Sequence, residues 1–207
     1  MLEGRIERRE RQWGDLGGDD RPDVLKAGRS ALSVCLLIAA AACSTGSTSQ
    51  LPRVSQTDSI QLASPAFGAG SAIPTRYTCD GQDVSPPLSW TGGPPAEEYA
   101  LIVTDPDARG GEFVHWIVYA IPASANSFEE DAIPGGAVEG TNGFSKSGYG
   151  GPCPPRGDPA HGYVFTVYGL RTAQGGSIPA GASLDQVLNV IRCCIQSKGM
   201  LVGSYGR

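Results

Sequence analysis

Three apolar runs rich in β-branched and aromatic residues, "EYALIVTDPD" (98–107), "FVHWIVYAIP" (113–122) and "GYVFTVYGL" (162–170), are set off by prolines and glycines with no helical repeat between them. Short apolar runs bounded by turn residues read as buried strands. Strands that do not alternate with helices pack as an antiparallel sandwich or barrel rather than as a parallel sheet. The 29 glycines and 16 prolines among 207 residues point the same way, being too many for a helix-dominated chain. One helix is expected, in "SLDQVLNVIRCCIQSKG" (183–199). Ser183 is its N-cap, Leu184, Val187, Leu188 and Ile191 recur at helical spacing, and Gly199 closes it. "MLVGSYGR" then adds a short final strand. The expected fold is mainly β, an antiparallel sandwich with a C-terminal helix, in one domain spanning 58–207.

Ahead of that domain, "ALSVCLLIAAAA" (31–42) is a 12-residue apolar run preceded by Lys26 and Arg29 and followed by Cys43. It is too short to span a bilayer comfortably and has the length of a signal-peptide core. The small residues Ala40–Ala42 before Cys43 resemble a bacterial lipobox, although Ala40 stands where that pattern prefers Leu. This reading makes 24–42 a signal peptide and Cys43 a lipidated (palmitate-bearing) anchor. The polar stretch 43–57 becomes a flexible tether, and the domain sits on the cell membrane facing outward. An ordinary cleaved signal or a retained N-terminal anchor are the alternatives, and all three export the domain. Residues 1–23 mix acidic and basic side chains in a way foreign to a signal peptide, so they read as a non-structural extension, with translation starting near Val24 or Leu25.

From Cys43 onward the chain carries 9 Lys and Arg against 14 Asp and Glu. An acidic surface without a basic run repels phosphate backbones at long range, which argues against a nucleic-acid partner. A local anion site is still compatible with this charge, because backbone amides and histidines can hold an anion inside an acidic protein.

Only two histidines are present, and each lies in an apolar run: His115 in the second, His161 at the head of the third. Alternate strand residues share a face, so His161 should align with Tyr163, and Phe113 with His115 and Ile117. Asp105 and Asp107 flank Pro106 where the first run ends. Converging strand ends would gather these groups into one polar cluster. Beside them, "GYGGPCPPRG" (148–157) combines glycines, which let backbone approach a ligand, with prolines, which restrict the loop. It reads either as a rigid rim offering the Gly150 and Gly151 amides to a small anion, or as a tight crossover with His161 in a satisfied buried hydrogen bond. Metal-ligand spacings, a G-x-S-x-G elbow and phosphate- or dinucleotide-loop fingerprints are all absent from the sequence. No cofactor or metal is therefore expected.

Four cysteines fall within the domain: Cys79, Cys153, Cys193 and Cys194. In an oxidising envelope they allow three pairings. Cys79 and Cys153 lie in Gly- or Pro-flanked loops, which favours a bond between them, or from one of them to the C-terminal helix. The adjacent pair Cys193–Cys194 ranks last because it closes a strained ring, and buried thiols are the alternative.

Taken together, "RYTCDGQDVSPPLSW" (76–90), "TDPDAR" (104–109), "HWIVYAIP" (115–122), "GYGGPCPPRG" with "HGYVFTVYGL", and "MLVGSYGR" resemble the phosphatidylethanolamine-binding protein family, also called Raf kinase inhibitor-like proteins, in its bacterial branch. The resemblance implies a Greek-key β-sandwich with a small pocket for anionic groups, such as a lipid-headgroup phosphate or a phosphorylated side chain. It assigns Asp105 and Asp107 to the family's acid motif, His115 and His161 to its two pocket histidines, Tyr163 to the tyrosine that follows, and Gly151 and Pro152 to the rim. Arg109 replaces the proline usual after this acid motif, and Gly162 stands where many relatives carry Arg or a second His.

The function expected is non-catalytic binding of a small anionic or phosphorylated ligand by an exported lipoprotein. Its affinity should rise as pH falls toward about 5.5, as the histidines gain charge. A protein-inhibitor role against a hydrolase or kinase is the first alternative, which would supply a protein partner. A His/Asp hydrolase is the second.

Overall fold

The structure is a computed structural model that describes residues 59–207, so the expectations for 1–23, 24–42, Cys43 and the tether fall outside the described residues. Eight strands and one helix follow one another along this part of the chain. They are β1 (Ile60–Ala63), β2 (Leu88–Gly92), β3 (Glu98–Asp105), β4 (Phe113–Pro122), β5 (Ser127–Phe128), β6 (Val138–Glu139), β7 (His161–Leu170), α1 (Leu184–Ile191) and β8 (Ile195–Tyr205). All strand ladders are antiparallel and form two sheets, ordered β1-β2-β5 and β6-β4-β3-β7-β8.

The three apolar runs form the three inner strands of the larger sheet. β3 is buried on both faces, as a continuous apolar run demands. One face supplies Leu101, Val103, Trp116, Val118, Phe165 and Val167 to a core closed by Leu62, Leu88, Trp90 and Phe128 of the smaller sheet. The other face presents Ala100, Ile117, Tyr119 and Leu170 to Val187 and Ile191 of α1. The fold is thus a β-sandwich with its helix packed on the outside of the larger sheet.

Ser183 caps α1 reciprocally: its hydroxyl accepts from the Gln186 amide, and the Gln186 carboxamide accepts from the Ser183 amide. The helix then stops at Ile191, well before the expected Gly199. From Ile195 the chain becomes an eleven-residue strand in register with β7 from Leu170↔Ile195 to His161↔Tyr205. Its buried positions Ser197, Gly199, Leu201 and Gly203 alternate with Lys198, Met200 and Val202, a period of two that a helix cannot use. Gly199 is required there because a Cβ would sit 2.4 Å from the Ile60 carbonyl oxygen.

Cys79 and Cys153 are joined by a disulfide with Cα atoms 5.4 Å apart, tying two loops that are 74 residues apart in sequence. The Cys193 and Cys194 sulfurs, adjacent in sequence, also lie against each other. The tight turn between α1 and β8, closed by the Cys194 amide on the Ile191 carbonyl and the Arg171 amide on the Cys194 carbonyl, holds the two side chains together.

Candidate functional site

Strand pairing brings the acid motif and both histidines to one end of the larger sheet. Asp105 ends β3 opposite Phe113, the first residue of β4, and His161 opens β7 on the other side of β3. β4 carries an extra residue here. Val103 pairs with Trp116 while Thr104 pairs with Val114, so His115 has no partner in the ladder and forms a β-bulge. Bulges re-aim a side chain. His115 accordingly lies on the sheet's inner face beside Tyr163, with ring centroids 5.1 Å apart, although its sequence neighbour Trp116 lies on that face too. Phe113 remains with it, centroids 5.1 Å apart. Ile117 faces the helix instead, contrary to the shared face read from strict alternation.

Each histidine is held through Nδ1. His161 Nδ1 lies 2.8 Å from Asp105 Oδ2, both side chains being about 95% buried. His115 Nδ1 lies 2.6 Å from the Gly150 carbonyl oxygen. A carbonyl only accepts, so Nδ1 of His115 carries the proton and Nε2 is free to face the cavity. Burial pushes the His115 pKa below the usual 6.5, against the opposing pull of the Gly150 carbonyl and the Asp105 charge. The remaining Asp105 oxygen accepts from the Asp107 amide at 2.8 Å, and Asp107 Oδ2 accepts from the Gly162 amide at 2.8 Å.

The result is a cavity of about 210 Å³ lined by Asp105, Phe113, His115, Phe144, His161 and the Cys153–Pro155 segment, with Ala108 and Arg109 at its mouth. Arg109 forms an ion pair with Asp158, whose second oxygen lies 3.9 Å from His161 Nε2. The space is below the ~300–1,000 Å³ of sites for drug-sized ligands, which suits a compact group.

Of the residues named from sequence, the structure lines the cavity with Asp105, His115 and His161. Asp107 stands behind them as a brace between the β3 end and β7. Tyr163 is fully buried beneath His115, its hydroxyl beside Asp105 and the Cys153 backbone without a well-formed hydrogen bond, and burial followed by the Asp105 charge raises its pKa. The rim differs more from expectation. The Gly150 amide donates to the His115 carbonyl at 3.0 Å, and the Gly151 amide to Asp83 at 2.7 Å. Neither is therefore free for an anion. Pro152 contributes its carbonyl to the Cys79 amide, and Cys153, Pro154 and Pro155 wall the cavity in place of Gly151 and Pro152. Gly151 is needed all the same, since a Cβ there would meet the Tyr77 carbonyl oxygen at 2.5 Å and Asp83 at 2.6 Å.

Sequence reading missed Phe144 and Asp158. Phe144 packs on Phe113 with centroids 4.8 Å apart, and its main-chain amide donates to the Asn142 side chain, which also accepts from the Lys146 amide. The turn-forming "TNG" ahead of Phe144 was the available signal. Among the described residues no group of three or more His, Cys, Asp or Glu side chains is placed to hold a metal ion.

Residues 63–206 match the family described as phosphatidylethanolamine-binding protein. A protein of Mycobacterium tuberculosis named "Putative lipoprotein LppC" is 40% identical over 146 residues, covering 70% of this chain and 72% of that one. The UPF0098 protein of Methanothermobacter thermautotrophicus is 40% identical over 154 residues, covering 72% and 99%. Among solved structures, the PEBP homologue CT736 of Chlamydia trachomatis superposes with a TM-score of 0.67 at 36% identity, over 72% of this chain and 99% of that one. Escherichia coli YbcL gives 0.67 at 32% identity, over 72% and 98%. The sandwich, the histidine cavity at its strand ends and these matches lead to one conclusion: the chain belongs to the phosphatidylethanolamine-binding protein family.

Proposed function

We propose that the cavity between Asp105, His115 and His161 binds a small anionic or phosphorylated group without transforming it, on a domain exported and anchored through Cys43. The single observation behind this is that both histidines are fixed through Nδ1 and line one 210 Å³ cavity. Fixed imidazoles whose Nε2 atoms are not tied to the backbone can take a proton and donate it to a phosphate oxygen, with Asp105 supporting the cationic ring of His161. Arg109 at the mouth adds a fixed positive charge once it leaves Asp158. In this reading the aromatic rings of Phe113 and Phe144 exclude water from the bound group. The lipid anchor is supported by the apolar run before Cys43 and by the name of the mycobacterial relative.

The test is a titration with inorganic phosphate and with phosphoethanolamine at pH 5.5 and 7.5, following the ring resonances of His115 and His161. Saturable shifts of both rings, stronger at pH 5.5, are the expected result. Rings that do not respond at either pH would remove the reading.

A further inference from the structure

The Cys153–Pro155 wall of the histidine cavity is attached to the fold differently from the chain just before it. Gly151 and Pro152 are fixed through the backbone, by the Gly151 amide on Asp83 at 2.7 Å and the Cys79 amide on the Pro152 carbonyl at 3.1 Å. Pro154 and Pro155 have no amide hydrogen to donate. The Pro155 carbonyl serves a local turn, accepting from the Asp158 amide at 3.1 Å. The Cys153 side chain, bonded to Cys79, is therefore the wall's tie to a distant part of the chain.

A cation stands at that tie. Arg207 Nη1 lies 3.1 Å from Cys153 Sγ, and its Nη2 donates to Asp80 Oδ1 at 2.9 Å. Asp80 also accepts from the Tyr205 hydroxyl at 2.8 Å and faces Arg156 at 3.4 Å. Tyr205 pairs with His161 across β7 and β8, so the ladder that carries His161 also delivers Arg207 to the sulfur. Both cysteines are half-buried, within reach of solvent. A guanidinium beside a sulfur stabilises its thiolate, and a disulfide opens faster when the departing sulfur is the better-stabilised thiolate. Arg207 touches Cys153, whereas Cys79 has the Asp80 carboxylate next to it in sequence, which sets the direction of opening.

We propose that the Cys79–Cys153 bond is a site of thiol–disulfide exchange with a dithiol reductant, primed by Arg207, and that its opening lowers the anion affinity of the histidine cavity. The second half rests on the anion-binding reading above. A thiolate of the reductant attacks Cys79 Sγ, the bond breaks, and its electron pair leaves on Cys153 Sγ as the thiolate beside Arg207. The reductant's second thiol loses its proton to solvent and attacks its own sulfur in the mixed disulfide. Cys79 then leaves as a thiolate and takes up a proton. The protein has gained two electrons and the reductant has become a disulfide. Cys153 lines the cavity, so a neutral sulfur is exchanged for an anionic one at the wall of an anion site, and the wall loses its covalent tie.

The experiment treats the full chain with dithiothreitol in native buffer at pH 7.5, traps thiols with iodoacetamide at intervals and counts alkylated Cys79 and Cys153 by mass spectrometry. The bond is expected to open without denaturant. Arg207→Gln should slow opening by about fivefold or more, and Arg207→Lys, which keeps the charge, should restore it. A variant that merely loosened the fold would open faster, so the sign separates priming from destabilisation. Phosphate affinity and the His161 ring resonance are then compared before and after reduction in a Cys193→Ala, Cys194→Ala background, where only this bond responds. Affinity should fall by about threefold or more, the resonance should move, and reoxidation should reverse both. Opening only in urea, an Arg207→Gln rate equal to or above wild type, or a reduced protein with unchanged affinity and an unmoved His161 ring would each overturn the proposal. Oxidised protein that takes no phosphate, with Arg207-dependent opening and a shifted His161 ring, would remove the anion reading and leave the exchange site standing.

Discussion

His161 and Asp105 stand at adjacent strand ends with 2.8 Å between Nδ1 and Oδ2, and both are buried. A charge-assisted hydrogen bond is worth about 1.5–3 kcal/mol, and Asp105 Oδ2 is the charged acceptor that holds this ring. Asp105→Asn keeps an acceptor and removes the charge. Phosphate affinity at pH 5.5 should fall by about 10- to 100-fold, the same energy expressed as a ratio, as read by calorimetry. An unchanged constant would mean that the ring is not the charged contact.

Arg109 and Asp158 oppose one another at the cavity mouth. Arg109→Ala should lower phosphate affinity, with a weaker dependence on salt. Asp158→Asn should raise it, by releasing Arg109 and removing the carboxylate 3.9 Å from His161 Nε2. The pair is solvent-exposed on the Arg side, so neither change should alter unfolding free energy by more than about 1 kcal/mol.

His115 carries a pH signature in stability. Burial lowers its pKa in the folded protein below the ordinary 6.5, so the unfolded chain takes up a proton first as pH falls. Its contribution is complete above pH 6.5 and is lost as pH drops through the lowered folded value, with a slope of at most about 1.4 kcal/mol per pH unit. Urea midpoints at pH 7.5, 6.5 and 5.5 in phosphate-free buffer should decline, and His115→Gln should flatten that decline.

The Cys79–Cys153 bond closes a loop across 74 residues and holds a residue that walls the histidine cavity. Replacing both cysteines with alanine should cost about 2–5 kcal/mol of stability. Phosphate affinity should fall with it, because Cys153–Pro155 lose their anchor. Equilibrium denaturation paired with the phosphate titration separates the two effects.

Gly151→Ala should destabilise the domain by more than 1 kcal/mol or so, since the new methyl group meets backbone on one side and Asp83 on the other. Calorimetric melting checks it.

The inner strands were legible because β3, β4 and β7 leave no residue exposed, so their apolar character is nearly continuous in the sequence. The disulfide between the two Gly/Pro loops follows one of the pairings that loop composition favoured. The end of α1 was not legible. Ile195–Tyr205 pairs along the whole length of β7, and that long-range ladder outweighs the local helical spacing around Ile191. The site divides in the same way. Asp105, His115 and His161 stand out as residue types, whereas the engagement of the Gly150 and Gly151 amides depends on the His115 carbonyl and on Asp83, groups distant in sequence. Phe144 and Asp158 are common residues in loops, and only their packing shows their place.

The unpaired residue in β4 has a practical meaning for protein engineering. Two reading phases meet at His115: Phe113 and His115 are counted from the cavity end, Trp116 and Val118 from the core. Grafting the two histidines and Asp105 onto an uninterrupted three-stranded sheet would turn the His115 imidazole toward the opposite layer, where Ile117 and Tyr119 meet the helix. A transplant has to carry the irregular backbone as well as the side chains, and deleting one residue from β4 near this point should erase the pocket while leaving the rest of the strand able to pair.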